Sequence, residues 1–575
     1  YAYRAHQAAM ELQNKRGNWK AAEKHRKILE KIRHGFFQLL WIKEGGYPAK
    51  KREKGGHERL HSDPWLYNCF LPVDVEITDS FDSITALWYS KWALENVPQP
   101  GGGRTVWLSN WVPSIWSVRQ NAAGENFQLA YGFFKAGLAE EGYQVLRGTI
   151  IRDGYCALQP GHICSEAASL LARAVICGLH GYRPDYPNGK VEFCPQYPAS
   201  WDHADMKTPS FSCTYRRNQT TVRYAFELTK AAQVTLKLPI YGEQLCKVKG
   251  ADSWRVEPGF GCTLLILEIG QSSGGEIEVQ TSGKWSQHPP ISFPASPGES
   301  LCLSSDEILT LVDPQGIITK WELEEGKVQL QFGQYSGPHL LFFSCLKGKL
   351  PYYRIVEATL SHTAQEQQTA LLEQVEKEES PLYHPFPMER IFNGDVRTLF
   401  QQKYLSPRPK GIHLSIGSDG YSPWTFCYWK NNPPKIAFDP SLNSNGQLLY
   451  SRENIPFYFG GYEKNVAFTS LWDNWPTQIT ISVHRNASAA YILLLGTTNP
   501  MECHIANGVL RFYYEDGSCD QVELVPPRNF WTLAPYTCSP SSEEQDTNND
   551  YCYDTDGFCL PAVPPETLSL GTNCR

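Results

Sequence analysis

The sequence predicts a multidomain α + β protein, with helices first and antiparallel β-sandwich domains after them. Three observations predict it. The chain runs to 575 residues, well past the ~100–200 residues of one domain. Apolar residues recur at helical spacing as far as Gly178 and switch to alternation from about Pro209. Passages rich in Pro, Ser and Gly, such as Pro289–Gly298, then separate the alternating stretches.

The first helix falls somewhere within 5–42. It is rich in Lys, Arg and Glu as far as His34, reads as a solvated outer face, and turns apolar at Phe36–Trp41 before Gly45-Gly-Tyr-Pro48 stops it. Tyr1-Ala-Tyr-Arg lacks the apolar run of a signal peptide. A loop over 50–65 gathers titratable groups beside Trp65. Thr78 or Asp79 then caps a helix over Phe81–Asn96. The irregular stretch Trp107-Leu-Ser-Asn-Trp111-Val-Pro113-Ser-Ile-Trp116-Ser-Val-Arg119 leads into three more helical segments, over 125–138, 140–151 and 165–178. In the first of these, Phe127, Leu129, Ala130, Phe133, Phe134 and Leu138 mark an inward face.

Strands are expected over 210–215, 221–227, 233–239 and 262–269, and again over 307–312, 327–332 and 339–344. The expected division is a helical part at 1–208, a β-sandwich at 209–283, an immunoglobulin-like β domain at 284–362, a Gln/Glu-rich linking helix at 363–385, a further β-sandwich at 386–540, and an acidic, disulfide-containing tail at 541–575. In that tail Cys552 stands where an EF-hand loop would need a ligand.

Gly178-Leu-His-Gly181-Tyr-Arg-Pro184-Asp-Tyr-Pro-Asn-Gly189, continuing through Cys194-Pro-Gln-Tyr-Pro198-Ala-Ser-Trp201-Asp202-His203-Ala204, resembles a known pattern. It is similar to the exit from the last toroid helix in the six-hairpin, (α/α)6-barrel glycosidase superfamily, over roughly 47–267. A second set of motifs includes Tyr404-Leu-Ser-Pro-Arg408, Trp472-Asp473-Asn474-Trp475-Pro476, Tyr514-Glu-Asp-Gly517 and Arg528-Asn-Phe-Trp531. These resemble an uncharacterised β domain that accompanies bacterial glycoside hydrolases of this kind. A complete toroid has two helices in each of its hairpins, and this chain offers far fewer. The resemblance therefore implies the C-terminal part of an (α/α)6 toroid followed by two or three antiparallel β-sandwich domains. It also implies an upstream chain or fragment that completes the barrel, or else a degenerate barrel.

Glycosidases of that kind mostly invert, with an acid carboxyl and a base carboxylate ~6.5–9.5 Å apart. Glu58, Asp63, Asp79 and Glu125 are the candidate carboxyls, and Glu166 lies near where related barrels place a base. All but Asp63 have a structural alternative: a surface ion pair for Glu58 between His57 and Arg59, helix capping for Asp79 and Asp82, and a first-turn acid favoured by the helix dipole for Glu125 and Glu166. Trp65, Trp107, Trp111 and Trp116 offer flat faces for sugar rings, with His57, Arg59 and Arg119 as polar partners. Either arginine suits the carboxylate of a uronate, or an acid in the core. No two of His57, His162 and His203 have metal-ligand spacing. Neither a catalytic metal nor another cofactor is expected.

A net charge of −7 argues against a nucleic-acid groove, which needs clustered Lys and Arg. No apolar run approaches the ~20 residues of a membrane helix. The 17 cysteines and the sequons at Asn218 and Asn486 point to a secreted glycoprotein with several disulfides, for which Cys503–Cys519 and Cys552–Cys559 are candidate local pairs. The odd count leaves one thiol over. The expected function is a secreted glycoside hydrolase that acts on or binds a complex polysaccharide by an inverting two-carboxylate mechanism. A non-catalytic carbohydrate-binding glycoprotein and a polysaccharide lyase are the alternatives.

Overall fold

In the computed structural model, the described residues are 1–52, 59–63, 65–109, 121–154, 158–159, 162–163, 165–283, 285, 287–304, 307–324 and 326–361. In the C-terminal part they are 382–395, 398, 448–450, 455–458, 464–469, 475–487, 489–494, 505–525 and 529. The chain divides into two compact units. One holds 1–50, 64–110 and 121–364, and the other 51–63, 111–120 and 365–575.

The first unit carries seven α-helices among its described residues: α1 (Ala2–Lys15), α2 (Trp19–Leu39), α3 (Leu66–Asp74), α4 (Ser80–Ala93), α5 (Ala123–Lys135), α6 (Ala139–Asp153) and α7 (Ser165–Arg173). The single expected N-terminal helix is broken in two, with Gly17 in the left-handed region and Asn18 capping α2 by accepting from the Ala21 N–H. The short helix α3, with Pro72 inside it, escapes a reading by period. Its end is a Schellman turn, in which Glu76 N–H donates to Val73 O and Ile77 N–H to Pro72 O. Glu76 takes the left-handed position at φ 60° where glycine is usual.

The helices do not form an arc of a toroid, which corrects the expected fold. Helix α5 buries Phe127, Leu129, Ala130, Tyr131, Phe133 and Phe134 on one broad apolar face. It packs against α3, α6, α7 and the π-helical turn Ala174–Leu179. Their apolar faces merge with those of a large sheet into one core, in which Phe70, Trp88 and Phe134 join Val234, Leu236, Leu267 and Leu340. With the ring gone, the expected upstream chain completing it loses its basis.

That sheet has twelve strands, built around Thr221–Ile240 and Thr263–Ser282, which pair antiparallel along most of their length. Strands expected in two separate sandwiches share it: Ser253–Phe260 meets Leu350–Leu360 in parallel through Gly259 and Phe260. A three-stranded sheet of Ser300–Ser304, Lys327–Phe332 and Ile318–Glu324 packs its Val328, Leu330 and Phe332 into a second core.

The disulfide framework is also corrected. All nine described cysteines hold free thiols, and Cys69, Cys194, Cys213, Cys262 and Cys345 are buried. They serve as small apolar core residues rather than crosslinks, and burial pushes the Cys69 and Cys262 thiols up to about 12. Cys519 is among the free thiols. Its expected partner Cys503, and the pair Cys552 and Cys559, lie outside the described residues, as does most of the expected linking helix.

In the second unit the described strands form short antiparallel hairpins: Lys51–Arg52 with Leu60–His61, Leu448–Tyr450 with Pro456–Tyr458, and Gly508–Tyr513 with Cys519–Leu524. Among the described residues no helix is long and apolar enough to cross a membrane.

Candidate functional site

Two connections bring several of the expected residues together at the N-terminal ends of α3 and α5. The segment 107–109 runs against the start of α3, where Trp65 bridges to Ser109 and the Leu66 N–H donates to Leu108 O at 2.8 Å. The strand just before it is pinned to α5 by buried Asn126. The Asn126 amide accepts from the Val106 N–H at 2.8 Å and donates to Val106 O at 2.9 Å and Asn121 Oδ1 at 3.2 Å. A buried amide satisfied on both its ends fixes a loop more firmly than apolar contact alone.

Into this corner come Glu125, in the first turn of α5, and Tyr67, in the first turn of α3. The Tyr67 hydroxyl donates to Glu125 Oε1. The Trp65 ring lies edge-on to Tyr67 with centroids 4.7 Å apart. Trp65, Tyr67, Trp107 and Glu125 are all half-buried. The arrangement combines a carboxylate favoured by a helix N-terminus, a phenol that holds it, and the Trp65 ring edge-on to that phenol. Such a combination accepts hydrogen bonds from hydroxyls while covering an apolar ring face.

Tyr67 and Asn126 are the members that sequence reasoning missed. Tyr67 lies only two residues beyond Trp65, but on a helix too short to show a period. Asn126 stands directly after Glu125 as a polar residue on an otherwise apolar face, and that mismatch is the signal available for it.

The other expected residues are dispersed. Asp79 is the N-cap of α4, its Oδ1 accepting from the Asp82 N–H at 2.8 Å. Burial, and then the Asp79 charge, push the Asp82 carboxyl up to about 6. Asp63 and Arg59 belong to the second unit, where the Arg59 guanidinium donates to Ala506 O at 2.9 Å. His57, Glu58, Trp111, Trp116 and Arg119 lie outside the described residues, and so does the Glu166 side chain. Exposed His203 faces Asp202 at 2.5 Å. Asn218 sits exposed in a hairpin turn, accepting from the Thr220 and Thr221 N–H groups. Asn486 is exposed as well. Among the described residues no three His, Cys, Asp or Glu side chains are grouped to hold a metal ion.

No protein family and no curated protein matches the chain. Two solved structures to which it is similar are glycosidases. The alpha-L-rhamnosidase from Dictyoglumus thermophilum aligns with a TM-score of 0.31 and 10% identity, over 48% of this chain and 31% of that one. The Streptomyces avermitilis alpha-L-rhamnosidase complexed with L-rhamnose aligns with a TM-score of 0.32 and 12% identity, over 48% and 26%. The chain thus spans less than a third of either enzyme. Likeness at this level assigns neither fold nor residue roles.

Proposed function

We propose that this protein handles glycans as a glycoside hydrolase-like protein, with Trp65, Tyr67, Trp107 and Glu125 forming its saccharide site. The observation that carries the reading is the Glu125 carboxylate held by the Tyr67 hydroxyl, with the half-buried Trp65 ring edge-on to Tyr67. In this reading the indoles cover a ring face, Glu125 is the acid–base group at the glycosidic oxygen, and Tyr67 orients it. The exposed sequon asparagines Asn218 and Asn486 support a secreted setting.

One feature favours a second reading, in which sugar is bound without turnover. A carboxylate that already accepts from a phenol is placed as a hydrogen-bond acceptor, which suits binding hydroxyls. Both readings meet in one experiment, with polysaccharide hydrolysis followed by reducing-end release and binding by tryptophan fluorescence. Glu125→Gln is expected to retain binding and to lower turnover by at least about 100-fold, the usual scale of a lost general acid–base group. Tyr67→Phe is expected to lower turnover about tenfold. Binding without turnover in the unaltered protein selects the second reading, and wild-type behaviour in both variants rejects the site.

A further inference from the structure

The outward face of the large sheet carries a polar cleft that the site above does not use. Its volume is about 470 Å³, and it is lined by Lys190, Gln233, Thr235, Asp252, Glu268 and Gly270. The strand Thr221–Ile240 turns Val234, Leu236 and Leu238 into the core, and so sets Gln233 and Thr235 outward. Lys190 lies beside Gln233 in parallel register, and Glu268 lies opposite Thr235. Between the Val234–Gly270 and Thr235–Glu268 pairs the ladder slips, leaving Ile269 unpaired as a bulge with Gly270 at φ 69°. A bulge with glycine in the left-handed region bends its strand and re-aims the neighbouring side chains. It also makes room here, because a Cβ on Gly270 would lie 2.7 Å from Asp252 Oδ2.

Glu268 is fixed within the cleft. It accepts from the Thr235 hydroxyl at 2.8 Å, and Arg255 lies 3.6 Å from its other oxygen. The side chains of Lys190, Gln233 and Asp252 make no hydrogen bond among the described residues, so three unspent polar groups converge on one concavity beside a fixed carboxylate. The charges narrow what fits. Two carboxylates repel anions, the Lys190 ammonium opposes a cation, and the next acid along, Glu192 beside Thr235, is already paired with Arg183 and Lys237. A neutral polyhydroxyl compound suits the mixture, since each hydroxyl both donates and accepts. The volume falls in the range of small-ligand pockets.

We propose that this cleft is a second saccharide-binding site, holding one neutral sugar ring with Asp252 and Glu268 as hydroxyl acceptors and Lys190 and Gln233 as donors. It shares no residue with the Trp65–Glu125 corner and does not depend on that reading.

The test titrates the full chain with methyl β-D-galactoside, methyl β-D-glucoside and methyl α-D-mannoside, using calorimetry and saturation-transfer NMR. At least one sugar is expected to bind saturably. Asp252→Asn and Glu268→Gln are each expected to weaken it about tenfold, the worth of one charge-assisted hydrogen bond. Because Asp252 and Glu268 lie outside the Trp65–Glu125 corner, loss of binding in their variants separates the cleft from the other site. Should either carboxylate variant fail to fold, exposed Gln233→Ala and Lys190→Met read the same loss. Three results would overturn the proposal: no saturable binding, binding that appears only with added calcium, or binding untouched by these substitutions.

Discussion

Asp82 shows how burial, rather than residue type, sets a carboxyl's behaviour. It sits in the first turn of α4, where the helix dipole favours negative charge, yet burial and the neighbouring Asp79 push it up to about 6. A carboxyl raised in the folded state holds its proton longer than the unfolded chain does. Its charge therefore costs stability above that value and costs nothing below the ordinary range near 4. Asp82→Asn is accordingly expected to stabilise the protein at pH 8 by about 1–2 kcal/mol, after allowance for partial exposure. The gain should vanish near pH 4. Urea midpoints for both proteins at the two pH values check this, and a gain that persists at pH 4 would contradict the cause given.

At the scale of elements, contact between backbones decides what composition alone would misjudge. Helix α6 meets the hairpin of Asn96–Pro98 and Arg104–Val106 with almost no side chain between them. A Cβ added to Gly148 would stand 2.4 Å from the backbone nitrogen of Arg104 and from its carbonyl oxygen. Glycine inside a helix is ordinarily a weakness, and alanine there gains ~0.5–1 kcal/mol. Here the sign reverses. Gly148→Ala is expected to destabilise by about 2–3 kcal/mol, because α6 must lift from the hairpin. A thermal midpoint equal to or above that of the parent would refute the close approach. The same interface carries Glu141 between Lys91 and Arg104, each at 2.8 Å. Burial opposes the Glu141 charge, but the two cations and their hydrogen bonds outweigh it and hold its carboxyl low.

Across the whole molecule, histidines shielded from water, His180 and His288 among them, shape the response to acid. His180 is held low, at about 4, by burial and is hydrogen-bonded with the Tyr197 hydroxyl at 2.9 Å. His288, stacked on Tyr352, is also held near 4 by burial and then by Arg354. In the folded state both stay neutral where the unfolded chain takes up protons. Their contribution is thus whole above the ordinary value of 6.5 and lost as the pH falls toward 4. Global stability is expected to drop by about 3–5 kcal/mol over that window, with the half-buried His288 giving the smaller share. Asp82 works against them over part of it. Denaturant titrations between pH 7 and 4.5 measure the slope, and His180→Gln should flatten it. A slope left unchanged by that substitution would remove His180 as the cause.

Much of the local structure was legible in the sequence. The apolar period of 125–138 marked α5, the change to alternation marked the long strands, and Asp79 stood where a cap belongs. These signals are local, because they depend on which side of a helix or strand is apolar. What that side packs against is set by residues far apart in the chain. The sequence reading, guided by the 178–204 motif, placed the helices in a ring, whereas tertiary packing merged them with the sheet into one core. Glu125 could be read as a candidate from its place ahead of an apolar face. Only the fold decided that Tyr67, fifty-eight residues earlier, would reach it. A hydrogen bond between two helix starts depends on how α3 and α5 pack, and that is fixed by the whole core at once.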